Sequence, residues 1–217
     1  MKTISIKEHF EARIEALWQN PKYDSVDIKK YGYFQQDNQT TNSLLFIGIN
    51  PSNSKKNTEK YFYTNGNKDT HPYFKKFIEI SEKVNLKWSH LDLLFVRETN
   101  QSYVKELVYH KEKVISDFFW EQLLISKEMI EMVQPKIIVV NNSLARDLLG
   151  FEHGEYWLGY KFKFDESLGT HYINTPDSPL FKTPVFFTSM LTGQRALDNG
   201  SFRRLVWHID MVNKTIK

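Results

Sequence analysis

A chain of 217 residues is long enough for one well-buried core and short for two, and 41% hydrophobic with 15% aromatic residues marks a folded protein, not a disordered one. A net charge of +3 permits nucleic-acid binding without requiring it, because a local basic patch matters more than the total. With no cysteine, disulfides, thiolate nucleophiles, iron–sulfur clusters and cysteine zinc sites are excluded, which fits a reducing cytoplasm.

The N-terminal "MKTISIKEHFEARIEALWQN" alternates charged and apolar residues, so it reads as neither a signal peptide nor a membrane span. Ser5 followed by Glu8 forms a capping box, and Phe10, Ile14, Leu17 and Trp18 then share one helical face. The polar "QQDNQTTN" leads into a first strong strand, Leu44 to Ile49, and residues 52–70 read as a loop. Pro72 suits a first helical turn, continued by Phe74, Phe77, Ile78 and Val84. "HLDLLFV" (90–96) reads as the second strand, and 114–133 as a long amphipathic helix stopped by Pro135. Residues 136–140, "KIIVV", form the third strand; Asn141, Asn142 and a short helix through Leu149 follow. Residues 151–183 read as a hairpin or excursion, "PVFF" (184–187) as the fourth strand, and 201–216 as a closing helix with Ser201 as its cap.

Helices alternating with continuously apolar strands predict one α/β domain over residues 1–217, with a parallel sheet covered on both faces. Ligands bind such sheets beyond the carboxyl ends of the strands. Those ends carry Asn50, then Arg97, Glu98 and Thr99, then Asn141 and Asn142, then Thr188 and Ser189. The expectation is one pocket shared by Asn50, Ser52, Thr188 and Ser189, with Asn141 or Asn142 at its margin. No metal-ligand spacing, nucleophile elbow or phosphate-loop lysine motif occurs, so no metal and no cofactor is expected. Asp92 and Asp165 lie far apart and suggest no carboxylate pair.

Gly48-Ile49-Asn50-Pro51 resembles the first motif of the uracil-DNA glycosylase superfamily, most closely the "GINPG" and "GMNPG" forms of its mismatch-specific and single-strand-selective branches. The order of parts extends the likeness over roughly residues 42–212. "HPYFKKF" stands where the family has an "NPFW"-like segment, "LDLLFVRET" resembles its "TDLVKRPT"-like strand, and "QPKIIVVNNSLARDLL" its "PKVVVVNGKLAYE"-like strand and helix. "PVFFTSMLTGQRALDNGSFRRL" occupies the place of the last strand, second motif and closing helix. The resemblance implies a three-layer α/β/α sandwich around a four-stranded parallel sheet. It also implies hydrolysis of the N-glycosidic bond of uracil or another damaged base in DNA, by a monomer acting without cofactor.

By the same resemblance, Asn50 positions the attacking water and Gly48, Ile49, Pro51 and Ser52 shape the base site. Phe62 is the stacking aromatic, with Tyr61 and Tyr63 as alternatives, and Asn141 borders the pocket. Where the family places His or Asn in "HPSP" or "NPSG", this chain reads Thr188-Ser189-Met190-Leu191, so Ser189, with Thr188, is left to donate to the departing base. That departure keeps a second reading open: a relative that binds nucleic acid or a nucleobase without cleaving it. On the DNA side, Leu191 is the expected wedge, and Gly193, Arg195, Arg203 and Arg204 the expected phosphate contacts, extended by Lys55, Lys56 and Lys60.

Overall fold

The computed structural model describes residues 2–53, 58, 60–63, 71–151, 158–193 and 196–216. The chain opens with β1 (Thr3–Ser5) and α1 (Ile6–Gln19), where Ser5 Oγ accepts from the Glu8 amide as the capping box requires. Then come β2 (Phe34–Gln36), β3 (Asn38–Thr40), β4 (Leu44–Gly48) and β5 (Tyr61–Tyr63). A 3₁₀ turn at Pro72–Phe74 starts α2 (Lys75–Val84), followed by β6 (Trp88–Asp92), α3 (Gln101–Val108) and α4 (Lys113–Val133). The remainder is β7 (Ile137–Val140), α5 (Ser143–Leu149), β8 (Phe162–Asp165), β9 (Thr170–Ile173), β10 (Pro184–Phe187) and α6 (Asn199–Thr215).

The central sheet has six strands in the order β6-β4-β7-β10-β9-β8. The first four are mutually parallel; β9 and β8 run antiparallel at the far edge. The excursion at 151–183 thus contains a hairpin that extends the sheet beyond the four strands expected. Its turn is closed locally: the Asp165 carboxylate accepts from the Ser167 and Leu168 amides, and Gly169 takes φ +66°. Every residue of β4 and β7 is buried, as strands covered on both faces must be. Leu45 and Ile47 pack with α1, α3, α4 and α5, while Leu44 and Phe46 pack with α2 and α6. Phe46 and Phe77 stack at 4.3 Å. Among the described residues, no helix is long and apolar enough to cross a membrane.

Four elements depart from expectation. The second strand spans Trp88–Asp92, not 90–96. Beyond it the Leu93 and Leu94 amides still donate to the Gly48 and Ile49 carbonyls, but the Phe95 and Val96 amides donate to the Gln122 side chain instead. The apolar run therefore outlasts the ladder. Strands β2 and β3 lie in a stretch too polar to predict as strand. They pair with β5 and β1, and their glutamines are buried because the side chains bond main chain, as Gln39 does to the His90 carbonyl at 2.8 Å. Finally α6 begins two residues early, capped by Asp198 instead of Ser201.

Candidate functional site

Beyond the carboxyl ends of β4, β6 and β7 lies a cavity of about 680 Å³. Its lining includes Gly48, Ile49, Asn50, Pro51 and Ser52 from the segment leaving β4, His90 and Asp92 from β6, and Asn141 and Asn142 after β7. Phe34, Tyr63, Tyr73 and Phe74 supply aromatic wall, and Met190, Leu191, Thr192 and Gly193 close the side after β10.

Asn50 answers why a buried strand delivers an amide to its tip. Its Nδ2 lies 3.0 Å from the Pro51 carbonyl, 3.3 Å from that of Val96 and 2.7 Å from that of Glu98. Carbonyl oxygens only accept, so the NH₂ must face them and Oδ1 must face away. Oδ1 is buried with no hydrogen-bond partner among the described residues. The side chain therefore ties two strand-end loops together and holds a fixed, unused acceptor in a cavity-lining residue.

Gly48 is required by what sits over it. A Cβ there would fall 2.3 Å from Asp92 Oδ1, 3.3 Å from His90 Nε2 and 3.4 Å from the Tyr73 hydroxyl. These groups form the cavity's polar floor, which includes Asn141, whose Nδ2 reaches the Tyr73 hydroxyl at 3.5 Å. Asn141 Oδ1 and His90 Nε2 have no partner among the described residues. His90 Nδ1 lies 3.3 Å from the Tyr63 hydroxyl, and its Nε2 is 3.7 Å from Asp92 Oδ1. Burial pushes the Asp92 carboxyl from 3.8 up to about 7 and the His90 imidazole from 6.5 down to about 3. Burial first, then the Asp92 charge, raises the Tyr73 phenol well above its usual range.

These shifts have opposite consequences for stability. The raised Asp92 carboxyl contributes stability that is complete below 3.8 and lost as pH rises through about 7. The lowered His90 contribution is present above 6.5 and lost as pH falls toward about 3. Asp92→Asn removes only the first. Its stability relative to wild type is expected to climb between these two carboxyl values and then level off, with a limiting slope of about 1.4 kcal/mol per pH unit. Urea unfolding of both proteins across that range measures it; an advantage that is constant with pH would contradict the burial account.

The other expected residues divide. Thr188 and Ser189 line a neighbouring cavity of about 330 Å³ with Gln101, Asn142, Ser143, Arg146 and Met190, not the cavity of Asn50. The Thr188 amide continues the β10–β7 ladder at 2.9 Å, so it is Met190 and Leu191 that the chain presents to the main cavity. Asn142 caps α5 through the Ala145 amide and donates to Gln101, which fixes it at the margin. Phe62 packs against the core beside Tyr33, with ring centroids 5.9 Å apart, and strand alternation turns Tyr63 to the cavity instead.

Leu191 is 3% exposed and packed with Phe186, Phe202 and Val206, so here it is cavity wall, not a projecting wedge. Gly193 is exposed at the rim with φ +88°. Arg203 and Arg204 are exposed on α6. The first amides of α6 are already taken: Gly200 and Ser201 donate to Asp198 Oδ1 at 2.8 and 3.0 Å, and Ser201 Oγ donates to Oδ2. These bonds, with Arg204 nearby, hold the Asp198 carboxyl below its usual range, so a carboxylate occupies the end where a phosphate was expected. Lys60 pairs with Glu15 at 3.4 Å; Arg195, Lys55 and Lys56 lie outside the described residues.

Neither His90 nor Tyr73 is named from sequence as a site residue, and Asp92 is weighed there only as a partner for Asp165. The signal for His90 and Asp92 was present: residues two apart in a strand share a face, and two polar groups on one face of an apolar strand need partners. Among the described residues, no group of three or more His, Asp or Glu side chains is placed to hold a metal ion. No protein-family model matches the chain, and no curated protein matches it.

Proposed function

We propose that this chain is a DNA N-glycosylase of the uracil-DNA glycosylase superfamily, hydrolysing the bond between deoxyribose and a damaged or deaminated base. The observation that carries the reading is Asn50: an amide held by three carbonyls, with an oxygen that has no partner among the described residues, in a residue that lines a cavity beyond the central parallel strands. The four adjacent parallel strands with helices on both faces agree with the sandwich that the sequence resemblance implies.

The chemistry asks little of such a site. A base flipped from the helix enters a cavity walled by Phe34, Tyr63 and Phe74 and meets a polar floor. Asn50 Oδ1 accepts from a water and orients the water's lone pair toward the sugar carbon; as the bond to the base breaks, the water's oxygen bonds to that carbon and the proton it loses neutralises the departing base anion. Negative charge developing on the base is met by donors on the floor, where the Tyr73 hydroxyl and His90 Nε2 are the side-chain candidates. Alkali treatment of an incubated oligonucleotide, which breaks the strand only at abasic sites, tests the reaction.

The reading of a base-binding relative without catalysis is favoured by a single observation. Thr188 and Ser189, which take the place of the family's second-motif donor, line the adjoining cavity. The surface prediction is common to both readings. Arg203→Ala and Arg204→Ala should each weaken duplex binding for all sequences alike and make the log–log salt slope shallower by about 0.9. Titrations at several salt concentrations check it; an unchanged slope removes α6 from the interface.

A further inference from the structure

The polar floor of the main cavity is unbalanced, and the imbalance describes the ligand. Asn50 Oδ1 and Asn141 Oδ1 are buried acceptor oxygens with no hydrogen-bond partner among the described residues, and the same cavity is lined by the Asp92 carboxyl, whose Oδ1 lies 3.7 Å from His90 Nε2. Asn141 and Asp92 are each 4% exposed, so bulk water does not satisfy them cheaply. Against them stand the Tyr73 hydroxyl and His90 Nε2, and the latter donates only when Tyr63 donates to Nδ1. The deficit is in donors, so a ligand that completes the floor must bring N–H groups.

The geometry points to Asp92 as the group that reads the ligand's edge, selecting a flat ring that presents two adjacent N–H groups, as guanine does with its ring N–H and 2-amino group. This rests on the reading of the cavity as a base site. A carboxylate offers two oxygens side by side and forms paired, charge-assisted hydrogen bonds with two parallel donors. Gly48 lets the carboxyl sit at the cavity at all, because the Cβ of any other residue would fall 2.3 Å from Asp92 Oδ1. Uracil has one N–H between two carbonyls, which sets a carbonyl oxygen against the second Asp92 oxygen. The aromatic walls of the cavity suit a planar ring. The other titratable groups lining it are Tyr63, His71, Tyr73, His90 and Glu98. Glu98 is already engaged by the Thr99 and Asn100 amides.

Calorimetric titration of the whole chain at about pH 8, above the value of about 7 to which burial pushes the Asp92 carboxyl, compares 2′-deoxyguanosine with 2′-deoxyinosine, which lacks only the 2-amino group, and with 2′-deoxyuridine. The expected result is tighter binding of deoxyguanosine by about tenfold or more. In Asp92→Asn the amide NH₂ faces the ligand's amino group, and the preference is expected to collapse. The wild-type comparison needs no variant and so does not depend on the variant folding. Equal affinity for the two nucleosides, or a preference for deoxyuridine, overturns Asp92 as the reader while leaving the base site standing. Binding of none of the three overturns the base site and this inference together.

Discussion

Asn50→Ala is expected to slow base release by about 10²- to 10⁴-fold while leaving DNA affinity within a few-fold of wild type. The amide oxygen acts on a water in the chemical step, and interactions made only in the transition state alter turnover, not binding. Single-turnover rates and equilibrium binding, measured on the same oligonucleotide, separate the two effects. The same substitution removes the donor that joins the Pro51, Val96 and Glu98 carbonyls, so a loss of about 1–3 kcal/mol in stability should accompany it. Asn50→Asp is the informative control. It keeps the size but turns an oxygen toward three carbonyl oxygens, so it should be less stable than the alanine variant. An aspartate variant as stable as wild type would mean the amide is not held as described.

Gly48→Ala is expected to damage the site more than its one added methyl suggests. The new Cβ would lie 2.3 Å from Asp92 Oδ1, with His90 Nε2 at 3.3 Å and the Tyr73 hydroxyl at 3.4 Å behind it. The backbone at Gly48 is paired with β6 at Asp92 and cannot retreat without breaking that ladder. Asp92 must swing away, at a cost of about 1–3 kcal/mol for overpacking. The floor then loses the carboxyl position, so ligand binding should fall by at least about tenfold, beyond what the loss of stability explains. Thermal unfolding and ligand titration, read together, test this. A variant that binds normally would show that Asp92 and Gly48 do not shape the site.

The parts legible in the sequence were those fixed by local pattern. Strands β4, β7 and β10 announce themselves as short apolar runs because both faces of a parallel sheet are covered. Asn50 was legible for the same reason: its polarity interrupts such a run at the strand tip. What escaped depended on tertiary partners. The Phe95 and Val96 amides turn to Gln122, an interaction between residues too distant in sequence for any local window. Leu191 in a loop reads as a wedge until it is seen to be buried, in the same core cluster as Phe202 and Val206 of α6. His90 and Asp92 were absorbed into an apolar strand, although their spacing already set them on one face. Thr188 and Ser189 stand at a strand end as expected, yet the turn that follows carries them to the neighbouring cavity. Strand ends can be counted from sequence, but which cavity each side chain enters is decided by the turn beyond it.

The most direct test of the central claim is mass spectrometry of the small molecules released from DNA. Single- and double-stranded oligonucleotides, each bearing one uracil, hypoxanthine, xanthine or damaged guanine, are incubated with wild type and with Asn50→Ala. The account predicts that wild type releases an intact free base from at least one substrate and leaves an abasic strand, and that Asn50→Ala all but abolishes the release. Release at equal rates by both proteins, or no free base from any of these substrates, would contradict it.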